Sequence, residues 1–159
     1  VVALSWHDAV AYCQWLSQKT GKPYHLPTEA EWEKAARGED ERIWPWGNEW
    51  GGNRCNSKES GLGHTTPVGQ YSSDGDSPYG VADMAGNVWE WCNSLYQPYP
   101  YRMDGDREDL DAGGDRVLRG GAFRNEYKFV RCTYRYKRLP NSRDGTIGFR
   151  VSMSTLVEK

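Results

Sequence analysis

Hard oxygen donors are concentrated in one stretch of the chain, residues 79–91, where Asp83, Asn87 and Glu90 lie within eight positions of one another. Two glycines in the stretch allow tight turns, so backbone carbonyls can join these side chains around a cation such as calcium. An ordinary hairpin whose glutamate is held in a salt bridge explains the same residues. Both interpretations assign the chemistry of the stretch to its carboxylates.

The end of this stretch, Trp89-Glu90-Trp91, indicates how one carboxylate is positioned. Side chains alternate along an extended backbone, so the two indoles share one face and Glu90 points to the other. The pattern predicts a strand that is anchored by tryptophan and presents a carboxylate to a metal or to backbone donors.

Four other motifs flank this stretch: LPTEAEWE at residues 26–33, WPWGN at 44–48, RGG at 119–121 and GFR at 148–150. In this order the motifs resemble those of the formylglycine-generating enzyme, or sulfatase-modifying factor, family. The resemblance runs from Leu4 to Arg150. It implies an α+β protein with a C-type-lectin-like fold, which has two short helices, small twisted antiparallel sheets and many loops.

Two helix-capping signals locate the elements that support these motifs. Ser5 and Thr28, each followed three residues later by an acidic residue, begin helices predicted over residues 6–19 and 29–37. A glycine follows soon after the end of each predicted helix, as is common at helix C-termini.

Composition indicates a single domain, residues 1–159, with an aromatic core. Hydrophobic residues make up only 37% of the chain, but it contains 8 Trp and 10 Tyr, and its 18 Gly and 8 Pro predict many loops. The formal net charge of −2 disfavours a general nucleic-acid or membrane surface. No apolar run approaches the roughly 18 residues that a membrane span requires.

The chain has four cysteines without CxxC spacing: Cys13, Cys55, Cys92 and Cys132. The resemblance implies disulfides at two of them in secreted relatives, but the partner positions, near Ala36 and Val151, are not cysteine here. Free thiols and the lack of a visible signal peptide favour a cytoplasmic protein. Members of the family carry additional strands before the position that matches the first residue of this chain. We therefore expect this domain to be part of a larger chain or assembly.

The resemblance also implies two structural calcium sites. The second of them falls on the stretch described first, with side-chain ligands from Asp83 and Glu90 and carbonyl ligands from Gly86 and Val88. These donors suit calcium, which accepts six to eight oxygen ligands in flexible geometry.

The first implied calcium site falls on the loop of residues 53–64. The matching positions are Asn56, Ser57, Ser60 and Leu62. The carboxylate that the family has at the third of these positions is missing, and the neighbouring Glu59 is expected to replace it. A loop held only by caps and turns is the alternative.

The segment between the RGG and GFR motifs, residues 122–146, distinguishes a catalytic function from a binding function. We call it the RGG–GFR segment. Strands are predicted on either side of it, over residues 117–121 and 147–151. In the active enzymes that the chain resembles, this segment holds copper through two cysteines. Residues 122–130 contain no Cys, His or Met, and Cys132 matches a structural cysteine. A lone thiol cannot form a two-coordinate Cu(I) site, so we expect no catalysis of this kind.

Aromatic and cationic residues occupy this segment instead. Large rings beside guanidinium and ammonium groups are typical of a surface that recognises a protein or peptide. The residues predicted to bind the ligand are Phe123, Arg124, Tyr127, Lys128, Phe129, Tyr134, Tyr136 and Arg138. Ordinary packing of a loop against a tryptophan-rich core is the alternative.

Three functional hypotheses remain at the level of sequence. The first is a non-catalytic recognition module stabilised by calcium, because the RGG and GFR borders also resemble those of retroelement-diversified variable proteins. The second is an oxidoreductase-type enzyme with an altered site, which a buried cluster of Cys92 or Cys132 with His64 and a carboxylate would support. The third is a structural or adaptor domain of a larger assembly.

Overall fold

Two α-helices open the chain in the computed structural model, which describes residues 1–102 and 105–154. Helix α1 spans Trp6–Thr20 and helix α2 spans Glu29–Arg37. Both begin with the predicted capping boxes, in which the cap hydroxyl accepts a backbone N–H and an acidic side chain accepts the cap N–H. The predicted helices are confirmed to within one residue at each end.

Six short strands form two sheets in the part of the chain that the structure describes. The strands are β1 (Tyr24–His25), β2 (Trp89–Leu95), β3 (Arg116–Arg119), β4 (Tyr136–Arg138), β5 (Ile147–Gly148) and β6 (Ser152–Met153). The main sheet has the order β4-β3-β2-β5, and β1 pairs with β6 in the smaller sheet. Pairing is antiparallel as predicted, except that β5 runs parallel to β2. The α+β class is therefore confirmed.

Of the strand predicted over residues 147–151, Ile147–Gly148 form β5, and residues 149–151 are irregular before β6 begins at Ser152. Between them the chain bends, with Phe149 packing edge-on against Tyr12 of α1 at 5.5 Å between ring centroids. Arg150 turns inward to the carboxylate of Glu90. These two long-range contacts interrupt the strand, and local sequence carries no signal for them.

Tryptophan dominates the interior, as the composition predicts. Trp6, Trp89 and Trp91 pack with Leu118 on one side of the main sheet, and Trp32 packs with Cys92 and Cys132 in a second cluster. Alternation along β2 separates the two sides, since Trp91 pairs with Leu118 while Glu90 pairs with Arg119. The main sheet thus supports the RGG–GFR segment, which leaves β3, contributes β4 and returns to β5.

Candidate functional site

An open cavity of about 340 Å³ lies against the main sheet, where residues of β2, β4 and β5 line it. Five of the eight residues predicted to bind a ligand line it: Arg124, Phe129, Tyr134, Tyr136 and Arg138. We call this cavity the aromatic groove. The structure therefore brings together the greater part of the predicted surface, although the five residues are spread over fifteen positions of the chain.

The rest of the groove comes from residues that the sequence did not single out as ligand-binding: Trp89, Asn125, Asp144, Thr146 and Ile147. Trp89 forms a wall of the groove from β2, and the last three approach it where the RGG–GFR segment returns to β5. Only Trp89 had a sequence signal, since its motif predicted an anchored indole. The others are placed by the sheet topology.

Strand β4 explains why two of these side chains point the same way. Tyr136 and Arg138 are two positions apart and therefore share a face of the strand. Lys137 points to the other face, where its Nζ lies 2.8 Å from a carboxylate oxygen of Asp115. The Arg138 guanidinium lies over the Tyr136 ring, 5.1 Å from its centroid.

Contacts between rings define the apolar wall of the groove. Trp89 lies 5.2 Å from Tyr136 and 6.0 Å from Tyr134, measured between ring centroids. Phe129 meets Tyr134 edge-on at 5.1 Å, with an interplanar angle of 86°. Such pairs stabilise one another beyond their buried area, so the wall is ordered before any ligand binds.

Two arginines and one aspartate set the charge of the groove. Asp144 Oδ1 accepts hydrogen bonds from the Thr146 backbone N–H at 2.8 Å and from its hydroxyl at 2.6 Å. These bonds lower the pKa of the Asp144 carboxyl, and the charges of Arg138 and Arg124 lower it further. Asp144 is therefore an anion at neutral pH, and the two guanidinium groups leave the groove with one excess positive charge.

The remaining three predicted residues lie outside the groove. Phe123 is only 6% exposed and packs in the interior beneath the guanidinium of Arg124. Tyr127 and Lys128 line a different cavity, of about 300 Å³, beside Trp44. A 3₁₀ turn over residues 127–129 sends consecutive side chains in different directions, and so the predicted single surface is divided in two.

A buried set of ion pairs holds the RGG–GFR segment from its inner side. Glu29 of α2 is fully buried; one of its carboxylate oxygens lies 2.8 Å from Nη2 of Arg135, and the other lies 3.8 Å from Nη1 of Arg119. Arg119 also pairs with Glu33 and donates to the carbonyl of Tyr134 at 3.0 Å. We call Glu29, Glu33, Arg119 and Arg135 the interior network.

Glu90, predicted as a calcium ligand, binds protein groups in the structure. Its Oε2 accepts from Nε of Arg150 at 2.6 Å and from the Trp32 indole at 2.7 Å, and its Oε1 accepts from Nη2 of Arg150 at 2.8 Å. Both carboxylate oxygens are engaged. Glu90 therefore does not fit a calcium ion unless the metal displaces the guanidinium.

The other three residues of this predicted site border the same open cavity as Glu90: Asp83, Gly86 and Val88. Asp83 Oδ2 accepts the backbone N–H of Gly69 at 2.7 Å, and burial raises the pKa of the Asp83 carboxyl. Asp83 is thus the one carboxylate of this set without a cationic side chain bonded to it.

The residues of the other predicted calcium site bind one another. The hydroxyl of Ser57 donates to Glu59 at 2.7 Å, and the other oxygen of Glu59 accepts the backbone N–H of Tyr127 at 2.9 Å. The amide of Asn56 donates to the carbonyl of His64 at 2.9 Å. Leu62 is 41% exposed. One carboxylate with both oxygens engaged does not by itself make a calcium site, and hydrogen bonds within the loop and to Tyr127 hold the loop in place.

The cysteines lie in the interior as free thiols. Burial raises the pKa of Cys132 to about 12, and Cys92 is shifted in the same direction for the same reason. His64 is exposed and its Nδ1 contacts the carbonyl of Thr65, so it does not join these thiols. Within residues 1–102 and 105–154 no group of three or more His, Cys, Asp or Glu side chains has the arrangement of a metal site.

No helix in the described part of the chain combines the length and the apolar character needed to cross a membrane.

Curated proteins that resemble the chain include both active and inactive members of one family. The formylglycine-generating enzyme of Thermomonospora curvata is 35% identical over 98% of this chain and 56% of its own length. The inactive C-alpha-formylglycine-generating enzyme 2 of Mus musculus is 36% identical over 97% of this chain and 49% of its own length. The chain thus spans about half the length of these relatives.

The same domain also occurs within much longer chains. The serine/threonine-protein kinase pkn1 of Chlamydia caviae is 36% identical over 94% of this chain, which covers only 23% of the kinase.

Solved structures confirm the fold. Treponema denticola variable protein 1 superimposes with a TM-score of 0.81 at 25% identity, over 95% of this chain and 69% of that one. The structural neighbours are proteins of the formylglycine-generating type, so the predicted C-type-lectin-like fold is correct. The family model described as "Sulfatase-modifying factor enzyme 1-like domain" matches residues 1–155. The chain belongs to this family of sulfatase-modifying factor enzyme 1-like domains.

Proposed function

We propose that this domain is a non-catalytic module that recognises a protein or peptide through the aromatic groove. The observation that carries the proposal is the groove itself, an open cavity of about 340 Å³ with an ordered aromatic wall and two exposed arginines. Arginine and tyrosine supply much of the binding energy in protein interfaces. Their clustering at one opening is what a recognition site requires.

The cysteines support a non-catalytic role. A thiol acts as a nucleophile or metal ligand in its thiolate form, and burial disfavours that form for Cys132. Among the curated relatives, the mouse protein is itself named inactive, so the family scaffold occurs without the activity. A variable protein among the solved neighbours shares the scaffold as well.

Structural calcium stays a prediction. Elemental mass spectrometry on protein purified without chelator tests it, and about one or two calcium ions per chain are expected from the resemblance. Because Glu90 is held by Arg150, the contacts favour the oxygens around Asp83 over the Glu90 carboxylate as the place for any such ion.

A library of random heptapeptides tests the proposed function. Peptides enriched on the wild-type domain are synthesised, and their affinities are measured by fluorescence polarisation. Tyr136→Ala, within the groove, is expected to weaken binding by about tenfold or more, which is a typical loss for an aromatic anchor. Tyr127→Ala removes an equal side chain from the other face of the same segment and is expected to leave affinity unchanged.

The result can contradict the proposal in two ways. If the library yields no peptide that binds, the domain is not a recognition module of this kind. If Tyr127→Ala abolishes binding and Tyr136→Ala does not, the aromatic groove is not the site. Thermal melts of both variants identify a loss of binding that comes from unfolding, since Tyr136 also packs against Trp89.

A further inference from the structure

Arginines in the interior of this protein have internal anions or carbonyls as partners. Arg135 binds Glu29, Arg119 binds Glu33, and Arg150 binds Glu90. Each guanidinium thereby has a carboxylate partner within the fold, as a buried charge requires. These arginines are not available to a ligand.

The two arginines of the aromatic groove lack such partners. Among residues 1–102 and 105–154, neither Arg124 nor Arg138 has a carboxylate within ion-pair distance or a hydrogen-bonded carbonyl, and both are exposed. Instead each guanidinium lies over a ring, Arg124 at 5.3 Å from the centroid of Phe123 and Arg138 at 5.1 Å from that of Tyr136. A guanidinium that lies over a ring can still donate its N–H groups to a ligand, because the ring takes none of them in a conventional hydrogen bond.

Asp144 offsets only one of these two positive charges and forms no ion pair with either arginine. Among the described residues it is the one carboxylate that lines the groove, and the Thr146 N–H and hydroxyl both bond its Oδ1. Lys137 lies on the opposite face of β4 with its own partner, Asp115. The groove therefore presents two unpaired guanidinium groups beside an aromatic wall, with a net positive charge.

We propose that the ligand of the aromatic groove is a peptide segment that carries a carboxylate next to an apolar side chain. The inference rests on the proposed function and specifies the ligand of the same site. The carboxylate binds Arg124 and Arg138, whose planar N–H forks match two carboxylate oxygens. The apolar side chain packs against Tyr134, Tyr136 and Trp89.

The size of the groove limits the ligand to a short element. Its volume of about 340 Å³ is at the lower end of the range for ligand pockets, so one or two side chains fill it. The carboxylate has two sources, an Asp or Glu side chain within the peptide or a free C-terminus. Both present the same chemistry to the two guanidinium groups.

Selection of random heptapeptides on the wild-type domain, in one library with internal peptides and another with free C-termini, tests the inference. We expect enrichment of Asp or Glu, or of a free terminus, directly beside an aromatic or aliphatic residue. Replacing that Glu by Gln, or amidating the terminus, should weaken binding by about tenfold, and which of the two changes does so identifies the source.

Variants of the domain assign the effect to the two arginines. The double variant Arg124→Gln/Arg138→Gln is expected to bind the acidic peptide and its neutral counterpart equally weakly. Arg131→Gln is the matched control, because Arg131 is an exposed arginine beside Trp44 in the other cavity, and it should retain the wild-type preference. Circular dichroism melts confirm that the double variant is folded.

The outcomes separate this inference from the proposed function. Peptides that bind at the groove without any loss on neutralising their carboxylates would overturn the inference and leave the proposed function intact. Retention of the acidic preference by the double variant would also overturn it. If no peptide is enriched in either library, the proposed function fails first.

Discussion

The interior network and the aromatic groove use the same residue type for opposite purposes. In the interior network, Arg119 and Arg135 bind the fully buried Glu29 and the neighbouring Glu33, and their N–H groups also bond backbone carbonyls. In the groove, Arg124 and Arg138 are exposed, and each guanidinium lies over a ring. All four arginines lie within twenty positions of one another. Neither residue type nor nearness in the sequence therefore distinguishes the arginines of the interior network from those of the groove.

The difference shows how a loop-rich segment can be rigid and still present a free surface. The interior network bonds the carbonyls of Cys132 and Tyr134, so it holds the backbone of the RGG–GFR segment from the inner side. The outer side chains of the same segment contribute little to holding its backbone in place. Changes on the inner side should therefore reduce stability, and changes on the outer side should reduce binding.

The largest expected effect is that of Glu29→Gln. The substitution keeps the shape of the side chain but leaves the buried guanidinium of Arg119 and its neighbours without their anion. Removing one member of a buried ion pair typically destabilises a protein by roughly 3–5 kcal/mol. Urea unfolding followed by tryptophan fluorescence measures this loss in the free energy of unfolding.

Glu39→Gln is the control for that experiment. Glu39 makes a surface ion pair with Lys34, at 2.8 Å, near the end of the same helix. Because exposed ion pairs contribute little, no measurable change is expected. Equal effects of the two substitutions would show that the interior network does not stabilise the fold.

A second prediction concerns access to the inner side of the segment. Cys132 lies there, and burial raises its pKa to about 12. At pH 8 the thiol is protonated, because that pH is well below the folded-state pKa, and the thiolate is the reactive form. Reaction of Cys132 with a disulfide reagent should be slower than in the unfolded chain by about a hundredfold or more.

Mass spectrometry of the modified protein, after brief exposure at pH 8, locates the thiols that reacted. Rapid modification of Cys132 in the native state would show that the inner side of the segment opens readily. The comparison between a rigid inner side and a free outer side would then be wrong.

The helices were predictable from the sequence because their signals are local. Ser5 and Thr28 each cap a helix through residues three positions away, and the structure confirms both boundaries. The strand order was not predictable in the same way. The parallel pairing of β2 with β5 joins residues more than fifty positions apart, and neither strand carries a sign of its partner.

The candidate site was predictable in part for the same reason. Tyr136 and Arg138 follow the alternation of a strand, which the sequence can express. Tyr127 lies in a 3₁₀ turn, where consecutive side chains point in different directions. It therefore lines the cavity beside Trp44 and not the aromatic groove. The sheet topology places Asp144 and Trp89 in the groove, and amino-acid composition does not predict that topology.

A third prediction concerns the partner of the Glu90 carboxylate, which is Arg150 in the structure. Glu90→Gln removes the anion that faces Arg150, and hydrogen bonds to charged groups are worth roughly 1.5–3 kcal/mol each. We expect a loss of that size in the free energy of unfolding. The loss should be the same with and without a calcium chelator, because the partner is a guanidinium.

If the loss in the free energy of unfolding depended on the chelator, calcium and not Arg150 would be the main partner of Glu90. If the substitution costs nothing once calcium is removed, then Glu90 holds the metal and Arg150 is secondary. Arg150→Met provides the reciprocal measurement, since it removes the guanidinium and leaves Glu90 bonded to Trp32.

The smallest expected effect tests the charge of the groove. In Asp144→Asn the side-chain oxygen can still accept the hydrogen bonds of Thr146, but the negative charge that interacts with Arg124 and Arg138 is lost. Affinity for an acidic peptide selected on the wild-type domain should rise by about 1.4-fold to 5-fold, because exposed charges interact by roughly 0.2–1 kcal/mol. Its neutral counterpart should bind as before.

Asp115→Asn is the matched control, since Asp115 pairs with Lys137 on the other face of β4 and lies outside the groove. Fluorescence polarisation at low and high salt distinguishes the two variants, because screening should remove the gain at position 144. Equal gains from both substitutions would reflect the net charge of the domain and not a local site. A gain confined to Asp144→Asn would show that the outer side of the segment attracts anions through its unpaired arginines.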